Sequence, residues 1–71
     1  MTIGTALKRF RTERGITQKA FAEIIGIDRR LYQHYEYDNV VPATSVVIKI
    51  ADIFNTSIDY LVGRTRNAES F

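Results

Sequence analysis

The amino-acid sequence predicts a compact all-α domain of five short helices, and three observations support this fold class. Apolar residues recur three and four positions apart in successive segments, as they do along one face of a helix. Threonine, aspartate, serine, asparagine and glycine, which suit helix ends, stand between those segments. The chain has 71 residues, 45% of them hydrophobic, and a chain of this size builds a single small core.

Helices 1 and 2 are predicted over residues 2–14 and 18–25. The apolar face of helix 1 consists of Ile3, Leu7 and Phe10. Gly15 suits the end of that helix, because glycine adopts the left-handed conformation at low cost. We expect Thr17 to cap helix 2, since its side-chain oxygen can accept a hydrogen bond from an otherwise unpaired backbone amide.

Helix 3 is predicted over residues 29–37 and follows helix 2 after a very short turn. Gly26 can take a positive φ in this turn, and Asp28 can cap helix 3 two residues later. A short turn makes two helices cross at close range, so helix 2 needs a small residue where helix 3 passes it. Ala22 stands at that position. The residues expected to face the core from this pair of helices are Phe21, Ile25, Ile27, Tyr32 and Tyr35.

The segment over residues 44–54 fits two kinds of secondary structure. Its β-branched content is typical of a strand. Its helical spacing is carried by Val47, Ile50, Ala51 and Phe54. We predict helix 4 here and a short helix 5 over residues 58–62, which Ser57 can cap. The domain then covers residues 1–63, and residues 64–71 are expected to form a flexible tail.

Composition excludes several classes of protein. Cysteine is absent and histidine occurs once, which leaves no disulfide and no zinc site of the usual Cys and His type. No Gly-rich phosphate loop and no HExxH pattern occurs, so we predict no enzyme and no cofactor. No apolar run approaches the roughly 20 residues of a membrane span, and no secretory signal is visible. We expect a cytoplasmic protein without membrane contact, and no small-molecule ligand is evident.

Charge is distributed unevenly along the chain. The whole sequence carries a net charge of +2. Residues 1–36 contain seven basic and four acidic side chains, whereas residues 37–63 contain one lysine and three aspartates. The positive charge therefore belongs to the N-terminal half, as expected if that half meets a polyanion. A solvated surface of mixed charge would show the same distribution.

The stretch "TQKAFAEIIGIDRRLYQHYE" resembles the helix-turn-helix of the Cro and lambda-repressor type, the XRE family. The resemblance continues through Pro42, "IKIAD" at 48–52, which begins with Ile48, and "TSIDYLVG", and it covers about residues 3–63. It implies a compact five-helix domain that binds double-stranded DNA, with helix 3 in the major groove and helix 2 across the backbone.

Four side chains are candidates for reading bases: Arg29, Arg30, Gln33 and His34. If the tyrosines of helix 3 face the core, these four lie on the opposite face with no structural role. Arginine can donate two hydrogen bonds to guanine, glutamine can pair with adenine, and histidine can donate to a purine nitrogen. Solvated residues on an exposed helix face are the alternative interpretation.

Supporting residues are expected around these four. The expected phosphate contacts are Thr17, Gln18, Lys19, Tyr37 and Asn39. The family resemblance assigns this role to Gln18, and surface solubility explains Lys19 nearly as well. Gln18 opens helix 2, where unpaired amides and the helix dipole attract a phosphate. Arg11 and Glu36 match a family ion pair that supports helix 3 from behind, and Ala22 and Gly26 shape the turn. The loop after Glu36 departs from the family pattern because Asp38 would repel a phosphate, which leaves Asn39 as the donor there.

One helix reads few base pairs, so members of the family bind as two-fold dimers on half-sites about 34 Å apart. Tyr60 and Val62 are candidates for the homodimer interface, although core positions would explain them equally. We expect a transcriptional regulator, of the bacterial or phage repressor type, on a palindromic operator. A protein-interaction or antitoxin module with weak or no DNA binding is the alternative, and Asp38 favours it.

Overall fold

The computed structural model describes residues 2–63, which fold into five helices. They are α1 (Ile3–Glu13), α2 (Gln18–Ile25), α3 (Arg29–Glu36), α4 (Thr44–Ile53) and α5 (Ile58–Leu61). Each helix begins and ends within one residue of the position predicted from the sequence. The tail expected over residues 64–71 lies outside the described residues. Within residues 2–63 no helix is long and apolar enough to cross a membrane.

Side-chain caps explain where four of the helices begin. Thr2, Thr17 and Ser57 each accept a hydrogen bond from the backbone amide three residues ahead, at the starts of α1, α2 and α5. Asp28 accepts from the amides of Arg30 and Leu31 at the start of α3. These caps satisfy amides that have no partner within their own helix.

A core of aromatic and aliphatic side chains joins all five helices. Its largest fully buried members are Tyr32, Phe10, Phe21, Leu7, Ile25, Ile50 and Leu61. Phe21 stacks on Phe54 with ring centroids 5.0 Å apart, and Phe10 meets the edge of Phe54 at 5.3 Å. These contacts explain why α4 is a helix despite its β-branched content, because packing of an apolar face outweighs a small difference in intrinsic propensity.

The joint between α2 and α3 is built as its sequence predicts. Gly26 has φ 73°, in the left-handed region, and ends α2. The side chain of Ala22 is 1% exposed, so it lies within the core. The amide of Ile27 donates to the carbonyl of Ala22 at 3.0 Å, which closes the turn between the two helices. This turn fixes the angle between α2 and α3.

The start of α1 packs tightly against the end of α3. A Cβ atom at Gly4 would lie 2.5 Å from the carbonyl oxygen of Tyr35 and 2.6 Å from that of Glu36. Side chains larger than hydrogen are therefore excluded at Gly4 unless the two helices separate. Asp38, with φ 61°, accepts hydrogen bonds from the Gly4 amide at 3.0 Å and from the Thr2 hydroxyl at 2.7 Å.

Candidate nucleic-acid interface

Helix α3 turns one face to the core and the other to solvent. Tyr32 and Tyr35 are 0% and 4% exposed, and the ring of Tyr32 packs on Phe21. Because a helix repeats every 3.6 residues, burial of these tyrosines directs the intervening side chains outward. Four of those side chains, Arg29, Arg30, Gln33 and His34, form what we call the outer face of α3.

The outer face of α3 is polar and partly concave. A polar cleft of about 400 Å³ is lined by Asp28, Arg29, Arg30 and Gln33. Both arginines are exposed, and neither guanidinium has a hydrogen-bond or ion-pair partner within residues 2–63. His34 is exposed and lies outside the cleft, toward the loop that follows α3. The two arginines can therefore donate to an external acceptor without breaking an internal contact.

The buried carboxylate of Glu36 anchors α3 to α1. Arg11 donates to it from Nε at 2.6 Å and from Nη2 at 3.1 Å, while its Nη1 donates to the carbonyl of Ile16 at 2.8 Å. The Tyr32 hydroxyl also donates to Glu36, as does the Gln18 amide at 3.0 Å. Four donors therefore compensate for removing this carboxylate from water.

The pKa values of this cluster follow from its geometry. Burial acts to raise the pKa of Glu36, but the hydrogen bonds from Arg11, Tyr32 and Gln18 and the charge of Arg11 lower it below its ordinary value. The hydrogen bond to Glu36 raises the pKa of Arg11, against the effect of burial. Burial, and then the contact with Glu36, raises the pKa of Tyr32 far above its ordinary value. At neutral pH the cluster is an ion pair with a neutral tyrosine.

Two members of the outer face have structural contacts, so the prediction that they have none is wrong. Nε2 of Gln33 donates to Oε1 of Gln18 at 3.2 Å, which joins α3 to α2. Nδ1 of His34 lies 3.2 Å from Nδ2 of Asn39. The spacing of residues along α3 predicts which side chains share its outer face. It cannot show that Gln18, 15 positions before Gln33, or Asn39, five positions after His34, comes within hydrogen-bond distance.

The contact with Asn39 has a consequence for His34. An amide nitrogen only donates hydrogen bonds, so a hydrogen bond between these two atoms requires the imidazole tautomer in which Nδ1 accepts. In that tautomer the imidazole proton lies on Nε2. His34 is exposed, so this proton would be its hydrogen-bond donor toward a bound molecule.

The first turn of α2 carries three of the residues expected to contact phosphates. Thr17 uses its hydroxyl as a cap, accepting from the amide of Ala20 at 3.1 Å. Gln18 is half-buried and is held between Glu36 and Gln33. Lys19 is exposed. The hydrogen bond between Gln18 and Gln33 brings this turn beside the outer face of α3, as an interface with both backbone and bases requires.

The loop after α3 contains the two remaining candidates, Tyr37 and Asn39, and both are exposed. The amide of Asn39 donates to the carbonyl of His34 at 3.0 Å, so the loop folds back on α3. The carboxylate of Asp38 is bound to the start of α1. This contact of Asp38 was not predicted from the sequence, although Gly4 in the first turn of α1 indicates close packing there.

The candidates for a homodimer interface pack within the chain. The ring of Tyr60 meets the edge of Phe10 at 6.1 Å, and its hydroxyl lies 3.5 Å from Oε1 of Glu13. Val62 is half-buried against the core. Ile48 and Ile58 are 42% and 44% exposed and line an apolar cleft of about 250 Å³. Within residues 2–63 no group of three metal-ligating side chains comes together.

Comparison with known proteins gives a consistent result. Residues 7–61 match the helix-turn-helix family. The chain is 38% identical over 64 residues to the HTH-type transcriptional regulator ImmR of Bacillus subtilis (strain 168), which is 90% of this chain and 50% of ImmR. It is 34% identical over 62 residues to the SPbeta prophage-derived uncharacterized HTH-type transcriptional regulator YonR of the same organism, 87% of this chain and 57% of YonR.

A shorter relative matches over most of its own length. The uncharacterized HTH-type transcriptional regulator YazB of Bacillus subtilis (strain 168) is 33% identical over 58 residues, which is 82% of this chain and 84% of YazB. The chain thus spans about half the length of ImmR and YonR and most of the length of YazB.

Proposed function

The chain belongs to the helix-turn-helix family, in its Cro/C1-type class, and from this membership we propose that it regulates transcription by binding specific sequences of double-stranded DNA. In this proposal α3 enters the major groove and the first turn of α2 meets the backbone. The observation that carries the proposal is the outer face of α3, where two exposed arginines have no partner among residues 2–63 and the neighbouring amide and imidazole each have a hydrogen-bond contact.

The chemistry of this face suits base edges. Each arginine can donate two parallel hydrogen bonds to O6 and N7 of guanine. Gln33 can pair with adenine, and the Nε2 proton of His34 can donate to a purine nitrogen or a carbonyl oxygen. Phosphate contacts come from Thr17, Gln18 and Lys19 at the start of α2 and from Tyr37 and Asn39 after α3. They set the register of α3 without reading sequence.

We further propose that the protein represses transcription as a homodimer on a palindromic operator. Two copies related by a two-fold axis would place their α3 helices in successive major grooves, about 34 Å apart. The exposed apolar side chains Ile48 and Ile58 line one cleft and support an interface on α4 and α5, to which Tyr60 and Val62 would contribute. The site of action is the cytoplasm, where bacterial DNA lies.

A selection of bound duplexes from a random library tests the proposal. We expect enrichment of a roughly palindromic site and affinity that falls steeply as salt rises, because phosphate contacts release counterions. If no sequence is enriched and no salt-dependent binding is measured, the domain is a protein-interaction or antitoxin module instead. Hydrogen bonds from Thr2 and Gly4 hold the Asp38 carboxylate at the start of α1, and its negative charge remains the argument for that alternative.

A further inference from the structure

A chain of hydrogen bonds runs from the core to the outer face of α3. It begins at the side chain of Glu36, which is 1% exposed. Nε2 of Gln18 donates to Oε1 of Glu36 at 3.0 Å, and Nε2 of Gln33 donates to Oε1 of Gln18 at 3.2 Å. We call these three side chains, Glu36, Gln18 and Gln33, the polar relay.

Each hydrogen bond in the polar relay can run in one direction only. The ionised carboxylate of Glu36 accepts hydrogen bonds and cannot donate one. Gln18 must therefore turn its amide nitrogen toward Glu36, which leaves its oxygen facing Gln33. Gln33 must in turn direct its nitrogen at that oxygen. Oε1 of Gln33 and the second hydrogen on its Nε2 remain available to a molecule that binds the outer face of α3.

A glutamine amide without such support can exchange its oxygen and nitrogen by rotating half a turn. The two orientations are nearly equal in shape and differ only in which end accepts. Here the wrong orientation would set the oxygen of Gln33 against that of Gln18, and Gln18 cannot rotate while Glu36 is charged. Arg11 keeps Glu36 charged through its two-point ion pair. The core of the domain thus sets the polarity of a surface side chain.

We propose that Glu36 and Gln18 are positioning residues that fix the Gln33 amide in one orientation and so make it select adenine at the base pair it meets. The inference rests on the proposed function, because it concerns the same surface. Adenine offers the N6 amine as a donor and N7 as an acceptor in the major groove. The oriented amide offers the complementary acceptor and donor. Guanine offers two acceptors, N7 and O6, one of which would face Oε1 of Gln33.

The variant Gln18→Lys tests the direction of the polar relay. An ammonium group only donates, so lysine can satisfy Glu36 but cannot accept from Gln33. Gln33 is then expected to turn its oxygen toward the lysine and its amide nitrogen outward, which suits the two acceptors of guanine. The double variant Gln18→Lys/Lys19→Gln has the wild-type net charge and serves as the matched control for non-specific attraction to DNA.

The readout is the affinity of the protein for duplexes that differ at one base pair. The variant Gln33→Ala identifies this base pair, because it is the one at which the variant loses the base preference of wild type. We expect wild type to favour adenine over guanine there by about 5- to 150-fold, the range of one good bidentate pair. Gln18→Lys and its charge-matched double variant should lose or reverse this preference and keep the preferences at other positions. An unchanged preference for adenine in both variants would overturn the inference.

A measurement without DNA separates this inference from the proposed function. NMR of the DNA-free protein should show scalar coupling across the hydrogen bond between Nε2 of Gln33 and Cδ of Gln18, which Gln18→Lys abolishes. Absence of that coupling in wild type overturns the polar relay, whatever the protein binds. Coupling in a protein that binds no duplex overturns the proposed function, and with it the selection of adenine.

Discussion

Replacement of Arg11 by methionine removes the cation that holds Glu36 in the core. Methionine keeps much of the apolar stem of arginine, so the loss is mainly one of charge and hydrogen bonds. Glu36 would lose its contacts at 2.6 and 3.1 Å and keep only the donors of Tyr32 and Gln18. The carbonyl of Ile16 would also lose its donor from Nη1.

The expected cost is large because the Glu36 side chain is almost completely shielded from water. Removing one partner of a buried ion pair costs about 3–5 kcal/mol. The Glu36 side chain is 1% exposed, which places Arg11→Met in that range at neutral pH. A domain of this size has a total stability of only about 3–5 kcal/mol from its core, so we expect the variant to be largely unfolded at pH 7.

The dependence on pH distinguishes lost charge from lost packing. In wild type the pKa of Glu36 is lowered by its partners, so its contribution to stability is present at neutral pH and is lost as the pH falls below about 4. Without Arg11, burial is still the largest contribution and only the hydrogen bonds from Tyr32 and Gln18 oppose it, so we expect the pKa of Glu36 to rise above its value in the unfolded chain. Protonation then favours the folded state, and Arg11→Met should gain stability as the pH falls from about 7 to 5.

Urea denaturation followed by circular dichroism, at pH 7 and at pH 5, measures both effects. Lys8→Met is the control, because Lys8 is exposed on the same helix and its replacement removes the same charge. The control should lie within about 0.5 kcal/mol of wild type. A cost of less than about 1 kcal/mol for Arg11→Met, or the same pH dependence as wild type, would contradict the reasoning, since a broken buried pair costs far more.

Three further changes have expected outcomes. Gly4→Ala should destabilise the fold by about 1–3 kcal/mol, despite the better helix propensity of alanine, because the new Cβ would meet the Tyr35 carbonyl at 2.5 Å; a lower urea midpoint checks this. Asn39→Ala should increase the share of the His34 tautomer with its proton on Nδ1 in long-range proton–nitrogen spectra, because the contact with Asn39 favours an accepting Nδ1, and an unchanged spectrum would argue against the contact. Thr56→Val should raise the free energy of unfolding by up to about 1 kcal/mol, because the buried Oγ1 has no hydrogen-bond partner among the described residues. A higher urea midpoint would show this, and a lower one would argue against it.

The helices could be predicted from sequence because their signals are local. Spacing of apolar residues and capping side chains such as Thr17 and Asp28 depend only on neighbours within a few positions. The positive φ of Gly26 follows from the short turn around it. Helix α4 required a choice between two patterns, and the aromatic contacts of Phe54 with α1 and α2 show why the helical one is correct.

The parts that sequence could not supply are contacts between distant segments. The hydrogen bond from Gln33 to Gln18 depends on how α2 and α3 cross, and the contacts of Asp38 depend on where α1 begins. The pairing of Arg11 with Glu36 could be expected only from the family resemblance. Neighbouring residues carry no information about such pairs, since the distances are fixed by packing of the whole domain.

Comparison of specific and non-specific affinity tests most directly whether the outer face of α3 reads bases. We would measure the affinity of wild type, Arg29→Ala, Arg30→Ala and Lys19→Ala for the selected duplex and for a scrambled one across a salt series. Each arginine variant should lose about 1–3 kcal/mol on the selected duplex and little on the scrambled one. Lys19→Ala should weaken binding to both about equally and flatten the salt dependence. Equal losses on both duplexes for the arginine variants would contradict base reading by α3.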